Sequence, residues 1–399
     1  MKLFEKFGLS NRLQLAIKKL GFKEPTQIQE KSISLILAGK DVICESATGS
    51  GKTLAFGCGI AEKVNPNHGL QALVLTPTRE LAEQVKRALI QISYNKNLEI
   101  ISIYGGVSIN PQIYGLTKAN VVVATPGRLL DHIQRRTINT SKIKFLVLDE
   151  ADRMFDMGFM DDIKKIIRTC PTKRQTLLFS ATILPHVKKL ANQYMKNPIY
   201  VSANKLVDPR KLKQVYYDIP QNLKLSLLLH LLKHEKSGLV MVFCNSRKTT
   251  DIIFKNLKAN KIDAVAIHGG FSQNMRTRNI NLFNKGKVWV LVCTDVASRG
   301  LHIDNVSHIY NYDIPRDPND YVHRIGRTAR AGEDGKVINL LCNYDYKNFS
   351  MVLAEYRSSF SIEKIKSPYL KKVKFLDIID RRKPFRRKPL KRKTICRTN

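Results

Sequence analysis

Asp41-Val42-Ile43-Cys44-Glu45-Ser46-Ala47-Thr48-Gly49-Ser50-Gly51-Lys52-Thr53-Leu54-Ala55-Phe56 is the stretch that decides how this chain is read. Val42, Ile43 and Cys44 suit a buried strand, small residues and glycines follow, and Lys52-Thr53 opens an apolar run of helical period. A strand turning through glycines into a helix aims backbone N–H groups at one point, at the positive end of the helix dipole. Phosphate oxygens fit such a point. Ser46, Ala47, Thr48, Gly49, Ser50 and Gly51 would wrap them, Lys52 would reach the outer phosphates, and Thr53 would supply a metal ligand. Ser46 stands where the general pattern has its first glycine. A Gly-rich turn without function is the plain alternative, and Gly-x-Gly-Lys-Thr between strand and helix argues against it.

Working outward, short β-branched runs alternate with helical stretches, the pattern of a parallel α/β sheet. Strands are expected at 41–44, 71–75, 121–124, 145–148 and 176–179, then at 239–243, 264–267, 288–293, 308–311 and 337–341. A polar, Pro-containing run separates the two sets. The chain therefore divides into a domain at 1–203, a linker at 204–212, a second domain at 213–365 and a tail at 366–399. The halves read as similar only in type. Residues 381–397 hold ten Lys or Arg and two Pro with few apolar residues, so the tail is expected to be disordered. Polar clusters follow strand after strand in both halves, and open parallel sheets bind ligands beyond the carboxyl ends of their strands.

Composition narrows the partners. The 399 residues are 43% hydrophobic, enough for two cores, and 68 Lys and Arg against 33 Asp and Glu give a net charge of +35. Such an excess points to a polyanion, nucleic acid before membrane, with a merely solvated basic surface as the alternative. Seven cysteines occur singly, which speaks against a disulfide framework or a zinc site and for a reducing compartment. The start has no apolar leader and no stretch is long enough to cross a membrane, so a soluble, cytoplasmic protein is expected.

Phe145-Leu146-Val147-Leu148 runs into Asp149-Glu150-Ala151-Asp152. An apolar strand ending in Asp holds the Mg²⁺ of a phosphate-loop ATPase, usually through water, and the next Glu can orient or deprotonate the attacking water. Acidic residues at a strand end also cap helices. Paired with the phosphate loop, they read as the catalytic half of an ATP and Mg²⁺ site.

With these segments in place, the chain resembles the DEAD-box RNA helicases over residues 1–365. The resemblance implies two tandem RecA-like domains, each a mostly parallel sheet flanked by helices, with ATP and Mg²⁺ as cofactors and RNA as partner. Gly21-Phe22-x-x-Pro25-Thr26-x-Ile28-Gln29 is similar to the family's adenine-reading segment. By that likeness Gln29 meets the adenine edge and Phe22 stacks on the base. Ser180-Ala181-Thr182 resembles the segment that couples hydrolysis to strand separation through Asp152. Pro77–Ala82, Gly105-Gly106 and Thr125-Pro126-Gly127-Arg128 resemble RNA-contacting segments, which assigns Thr78, Arg79, Gly106, Thr125 and Arg128 to RNA. In the second half the likeness assigns Ser246, Gly269, Gln273, Arg276 and Thr294 to RNA, Gly300 to the nucleotide, His323 to coupling, and Arg327 and Arg330 to the role of arginine fingers. Contacts of this kind fall on sugar and phosphate and carry little sequence information.

The chain also departs from the family pattern. His302 stands where many members carry an Asp expected at the ribose, Gln27 replaces a Pro, and Ala329 replaces a Gly and so calls for an ordinary backbone there. None removes a catalytic group. The implied activity is local, non-processive unwinding of short RNA duplexes or remodelling of RNA–protein complexes. A DNA-translocating relative and an ATP-gated RNA clamp or chaperone are the rivals. Partners in ribonucleoprotein assembly or RNA decay are not identified by sequence.

Overall fold

The computed structural model describes residues 2–46, 49–203, 212–298, 303, 306–329, 335–356 and 361–376. Of the positions singled out above, Ala47, Thr48, Gly300, His302 and Arg330, the linker residues 204–211 and the arm beyond 376 lie outside the described residues.

Two seven-stranded sheets organise the chain. The first holds β1 (Val42–Glu45), β2 (Ala72–Leu75), β3 (Ile100–Ile103), β4 (Val121–Ala124), β5 (Phe145–Leu148), β6 (Gln175–Ser180) and β7 (Ile199–Ser202). The second holds β8 (Leu212–Asp218), β9 (Leu239–Phe243), β10 (Ala264–Ile267), β11 (Val290–Cys293), β12 (Val306–Asn311), β13 (Gly335–Leu341) and β14 (Glu363–Ile365). Their orders are β3-β4-β2-β5-β6-β1-β7 and β10-β11-β9-β12-β13-β8-β14, with every pairing parallel. Both are doubly wound α/β domains of RecA type. The second order is the first shifted by seven, so the halves share one topology and are more alike than their sequences suggested.

Successive strand residues go to opposite faces. Val42 and Cys44 join the core on one side of the first sheet, and Ile43 joins the core on the other. Covered on both faces, the central strands are fully apolar, which is why they were legible. Burying each such Val or Leu contributes roughly 2 kcal/mol. The strands not expected were β3, β7, β8 and β14. Three are sheet edges and β8 lies next to one, so exposed and buried residues mix along them. Leu212, placed in the linker by sequence, opens β8 because its side chain is buried in the second domain's core.

Helices bring their N-termini to the strand ends. In Arg79–Ile92, Ala82, Val85, Leu89 and Ile92 recur on one face and are buried. Thr78 starts the helix, its Oγ1 accepting from the Leu81 N–H, and the Ser93 hydroxyl closes it by donating to the Leu89 carbonyl at 2.7 Å. This fixes Arg79 at the carboxyl edge of the sheet.

The tail is not disordered from its start. Within 366–376, Leu370 and Val373 pack on the second domain, and the Val373 N–H donates to Ser226 Oγ at 3.0 Å. Buried Asn256 meets the Leu376 backbone twice, donating to its carbonyl and accepting from its N–H, both at 2.9 Å. Two apolar anchors in a basic stretch are enough to dock it.

Candidate active site

The phosphate loop lies between β1 and the helix Lys52–Lys63. Gly49 and Gly51 have φ of 83° and 89°, a conformation that costs other residues about 1 kcal/mol or more. A Cβ on Gly51 would also overlap the Gln29 amide. The Ser46 N–H donates to the Ser180 carbonyl, and the Ser46 and Ser50 hydroxyls are 2.9 Å apart. Lys52 is buried, its ammonium donating to the Ser46 carbonyl at 3.0 Å. That partner is neutral, so the full positive charge stays available to an anion.

Gln29 is fully buried, not a helix-surface residue. Its amide donates to the Gly51 carbonyl at 3.0 Å and accepts from the Thr26 N–H at 3.0 Å, while Thr26 Oγ1 donates to the Ser50 carbonyl at 2.7 Å. The segment Thr26–Gln29 is thus bolted to the loop at Ser50 and Gly51. One amide N–H and one oxygen lone pair remain for a base. Phe22 is 40% exposed.

Asp149 directly follows β5 and is 3% exposed. Burial pushes its carboxyl up to about 7, opposed by the Lys52 ammonium and reinforced by Glu150 and Asp152. A dry carboxylate within reach of the Lys52 charge suits a hard cation bound through oxygen. Among the described residues no three His, Cys, Asp or Glu side chains converge as a metal cage. A Mg²⁺ would therefore be held by Asp149 and Thr53 with phosphate oxygens and water.

Asp152 links the tetrad to β6. Its Oδ2 accepts from the N–H groups of Ala181 and Thr182, each at 3.1 Å, and from Thr182 Oγ1 at 3.2 Å. Its own N–H donates to Ser180 Oγ at 3.2 Å, and that hydroxyl donates to the Thr182 carbonyl at 2.7 Å. Three of the four residues assigned to coupling, Asp152, Ser180 and Thr182, form one hydrogen-bonded unit at neighbouring strand ends.

Beyond β2, β3 and β4 lie Thr78, Arg79, Gly106, Thr125 and Arg128. The Arg79 guanidinium rests where a Gly106 Cβ would be, and Gly106 has φ of 79°. Arg128 donates from both terminal nitrogens to the Val107 carbonyl, at 3.2 and 3.1 Å. Buried His132 and Gln112 brace the same loop, Gln112 donating to the Tyr104 carbonyl at 3.1 Å. Sequence reasoning passed over this pair, since each alone looks like an ordinary polar residue on a helix.

In the second domain Ser246 caps the helix Arg247–Ala259, accepting from Thr249 N–H at 3.0 Å, and Arg247 lies against Gly269. Thr294 follows β11. Gln273 and Arg276, assigned to RNA, point elsewhere. Gln273 Nε2 donates to Glu80 Oε1 at 2.9 Å, and Arg276 Nη2 is 3.0 Å from the same oxygen. Burial holds the Arg276 guanidinium below its usual value, with Glu80 opposing. Glu80 belongs to the first domain, so these side chains join the domains. Its position inside Pro77–Ala82 was quoted from sequence without a role.

Four residues before Arg327, His323 Nδ1 is 4.0 Å from Asp320. Arg327 is buried beside the end of β11, where its charge counters the burial that pushes the Cys293 thiol up. Ala329 has φ of 53°, so the expectation of an ordinary backbone was wrong. Gly335 packs against this turn, where a Cβ on it would fall 2.7 Å from the Ala329 nitrogen. Sequence also left Arg324 without a role. It is 1% exposed and donates to both Asp295 oxygens at 2.6 and 2.7 Å, to Asn311 Oδ1 and Asn245 Oδ1 at 2.9 Å, and to the Asp313 carbonyl at 2.6 Å. It ties the ends of β9, β11 and β12 to the helix before Arg327.

A DEAD/DEAH box helicase model matches residues 26–190, and a helicase conserved C-terminal domain model matches 223–332. The chain is 42% identical over 371 residues to the DEAD-box ATP-dependent RNA helicase CshA of Bacillus subtilis, spanning 92% of this chain and 74% of the relative. It is 41% identical to the namesake of Geobacillus kaustophilus, over 93% of this chain and 79% of that one. Among solved structures it is similar to Saccharomyces cerevisiae Dbp5 bound to RNA and ADP BeF3, with a TM-score of 0.83 at 31% identity, covering 92% of this chain and 96% of the other. A DEAD box protein from Methanococcus jannaschii gives 0.55 at 40% identity, covering 90% and 97%.

Proposed function

The chain belongs to the DEAD-box family of ATP-dependent RNA helicases, and from that premise we propose that it closes two domains on ATP and single-stranded RNA to open short duplexes locally. The observation that carries the reading is the Glu80 carboxylate shared by Gln273 and Arg276. It makes an RNA-side segment of one domain the docking point of the other, so closure and RNA contact become one event. The greater likeness to the RNA-bound yeast protein than to the archaeal one, despite lower identity, supports the same conformation.

In this reading Lys52 and the loop amides hold the phosphates, Gln29 and Phe22 hold the base, and Glu150 orients the attacking water. Mg²⁺, held by Asp149 and Thr53, would neutralise charge on the phosphate oxygens. Asp152, Ser180 and Thr182 carry the change at the phosphates to β6, with His323 completing the contact from the second domain. Arg327 and Arg330 would stabilise charge on the transferred group, a contribution of roughly 10³–10⁵ in rate. Thr78, Arg79, Gly106, Thr125, Arg128, Ser246, Gly269 and Thr294 would grip one strand by its backbone. Lys366, Lys371, Lys372 and Lys374 on the docked tail are exposed, as are the rings of Tyr369 and Phe375. With the basic arm that follows, they suit flanking RNA without sequence preference.

No described helix is long and apolar enough to cross a membrane. The six described cysteines are buried and unpaired, which supports the reducing, cytoplasmic setting.

The test compares unwinding of matched RNA and DNA duplexes with ATP. RNA unwinding that is lost in Lys52→Ala and Glu150→Gln is expected. Unwinding of DNA alone would sink the RNA reading, and strand separation that persists in both variants would favour passive chaperoning.

A further inference from the structure

Arg153 follows the tetrad directly and belongs to none of the segments given a role above. It is 1% exposed, one of the largest fully buried side chains in the molecule. Its backbone N–H donates to the Glu150 carbonyl and to Asp152 Oδ1, which folds the first turn of the helix Ala151–Asp156 tightly onto Glu150. The side chain then turns back to Glu150, with Nη1 at 3.3 Å from Oε2. Neither Nη atom has a hydrogen-bond partner among the described residues. Asp152, the other nearby carboxylate, has its Oδ2 engaged by Ala181 and Thr182. The Glu150 backbone is itself unusual, held at φ of 52° where only glycine is at ease.

A guanidinium has five donors and cannot lose its charge, so burying one whose only ion pair among the described residues is with Glu150 makes that carboxylate hard to replace. The dependence runs both ways. The Glu150 side chain, on a strained turn in a dry site, is aimed by the cation one helical turn away. We propose that Arg153 is the positioning residue for Glu150, and that the carboxylate which orients the attacking water also serves as the counter-ion of a buried charge. This deepens the reading of Glu150 given above and rests on it. Two consequences follow. Removing the Arg153 charge slows hydrolysis without weakening ATP binding. Neutralising Glu150 strands a buried cation, so Glu150→Gln is a less stable protein and not only a slow one.

The experiment uses the full chain as wild type, Glu150→Gln, Arg153→Met, Arg153→Lys and the double variant Glu150→Gln/Arg153→Met. RNA-stimulated ATP hydrolysis gives kcat and KM separately, and thermal melting without nucleotide gives the midpoint. Arg153→Met is expected to lower kcat by about tenfold or more with KM for ATP within about twofold, and Arg153→Lys to recover much of the loss. In the Glu150→Gln background Arg153→Met should have no further effect on residual hydrolysis, because the group it positions is gone. Glu150→Gln should melt below wild type, and the double variant should melt above Glu150→Gln.

Arg153→Met with wild-type kcat overturns the proposal, as does an effect that multiplies with Glu150→Gln. If Arg153→Met does not fold, the double variant decides: folding restored supports the pairing, and folding not restored overturns it. Glu150→Gln as fast as wild type would sink the reading of Glu150 itself, whatever its melting behaviour, which separates that failure from a failure of the pairing.

Discussion

Lys52 and Lys224 occupy the same place in the two domains and do different work. Each is the first residue of the helix that follows the matching strand, β1 in one sheet and β8 in the other. Each is buried. Lys52 faces the neutral Ser46 carbonyl, whereas Lys224 lies 2.7 Å from the Asp345 carboxylate. A lysine kept for a ligand is left with a partner that does not consume its charge. A lysine kept for the fold is neutralised on the spot.

The same duplication runs through the RNA side without that divergence. Thr78-Arg79 after β2 matches Ser246-Arg247 after β9, and each Arg lies against a glycine of a Gly-Gly pair after the next strand of the chain, Gly106 after β3 or Gly269 after β10. Thr125 after β4 matches Thr294 after β11. In the function proposed above, one fold used twice has a backbone-gripping edge in each half and, among the described residues, a phosphate loop in the first. That arrangement suits a strand of RNA held across two domains with a nucleotide at one of them.

The sharpest way to break this comparison is to truncate the paired lysines. Lys52→Ala should reduce ATP hydrolysis at least about a hundredfold, since a charge aimed at the transferred phosphate is lost. Denaturant unfolding of the first domain should barely change. Lys224→Ala should behave in the opposite way, orphaning Asp345 and destabilising the second domain by about 3 kcal/mol. Equal losses of activity in the two variants would refute the division of labour.

Next in size is the contact that makes the two domains one site. Glu80→Gln should lower RNA-stimulated hydrolysis by about ten- to a hundredfold, because a half-buried arginine loses its carboxylate across the interface. Hydrolysis without RNA should change far less. A fluorescent pair, one dye on each domain, should report closure only at higher RNA concentration.

Smaller effects sharpen the match between the two Gly-Gly loops. Gly106→Ala should cost about 1–2 kcal/mol from its left-handed backbone alone, and it would also push Arg79 off the loop. RNA affinity should fall with it. Gly269 has no left-handed φ, and its Cβ would meet only the movable end of Arg247, at 3.0 Å. Gly269→Ala should therefore weaken RNA binding less, as a titration of the two variants against one oligonucleotide would show.

The smallest effect is expected at Ala329. Replacing it with Gly should relieve its left-handed backbone and stabilise the second domain by about 1 kcal/mol, less the extra entropy of the unfolded chain. An unchanged or lowered unfolding midpoint would mean that Ala329 is not strained.

Much of the site could be read before the fold was known, because its pieces are local. Lys52-Thr53, Asp149-Glu150-Ala151-Asp152 and Ser180-Ala181-Thr182 each follow a strand whose apolar run is unbroken. The edge strands β3, β7 and β14 could not be read in this way, since half-exposed residues blur the pattern. Arg324, Glu80 and Arg153 were in view as letters, yet their partners lie on other strands, on the other domain, or on a turn whose shape no spacing reveals.

By itself the sequence determined the two α/β halves and the family's motifs, from the Gly-rich loop before Lys52 to the acidic strand end at Asp149, on which the proposed chemistry rests. These follow from side-chain type and short-range period, which act within a few residues. Only the tertiary structure decided which charges are spent and which are free. Lys52 and Lys224 look alike in sequence, as do Arg276 and Arg79. Burial and the nearest carboxylate separate them, and both are properties of chain segments brought together from far apart.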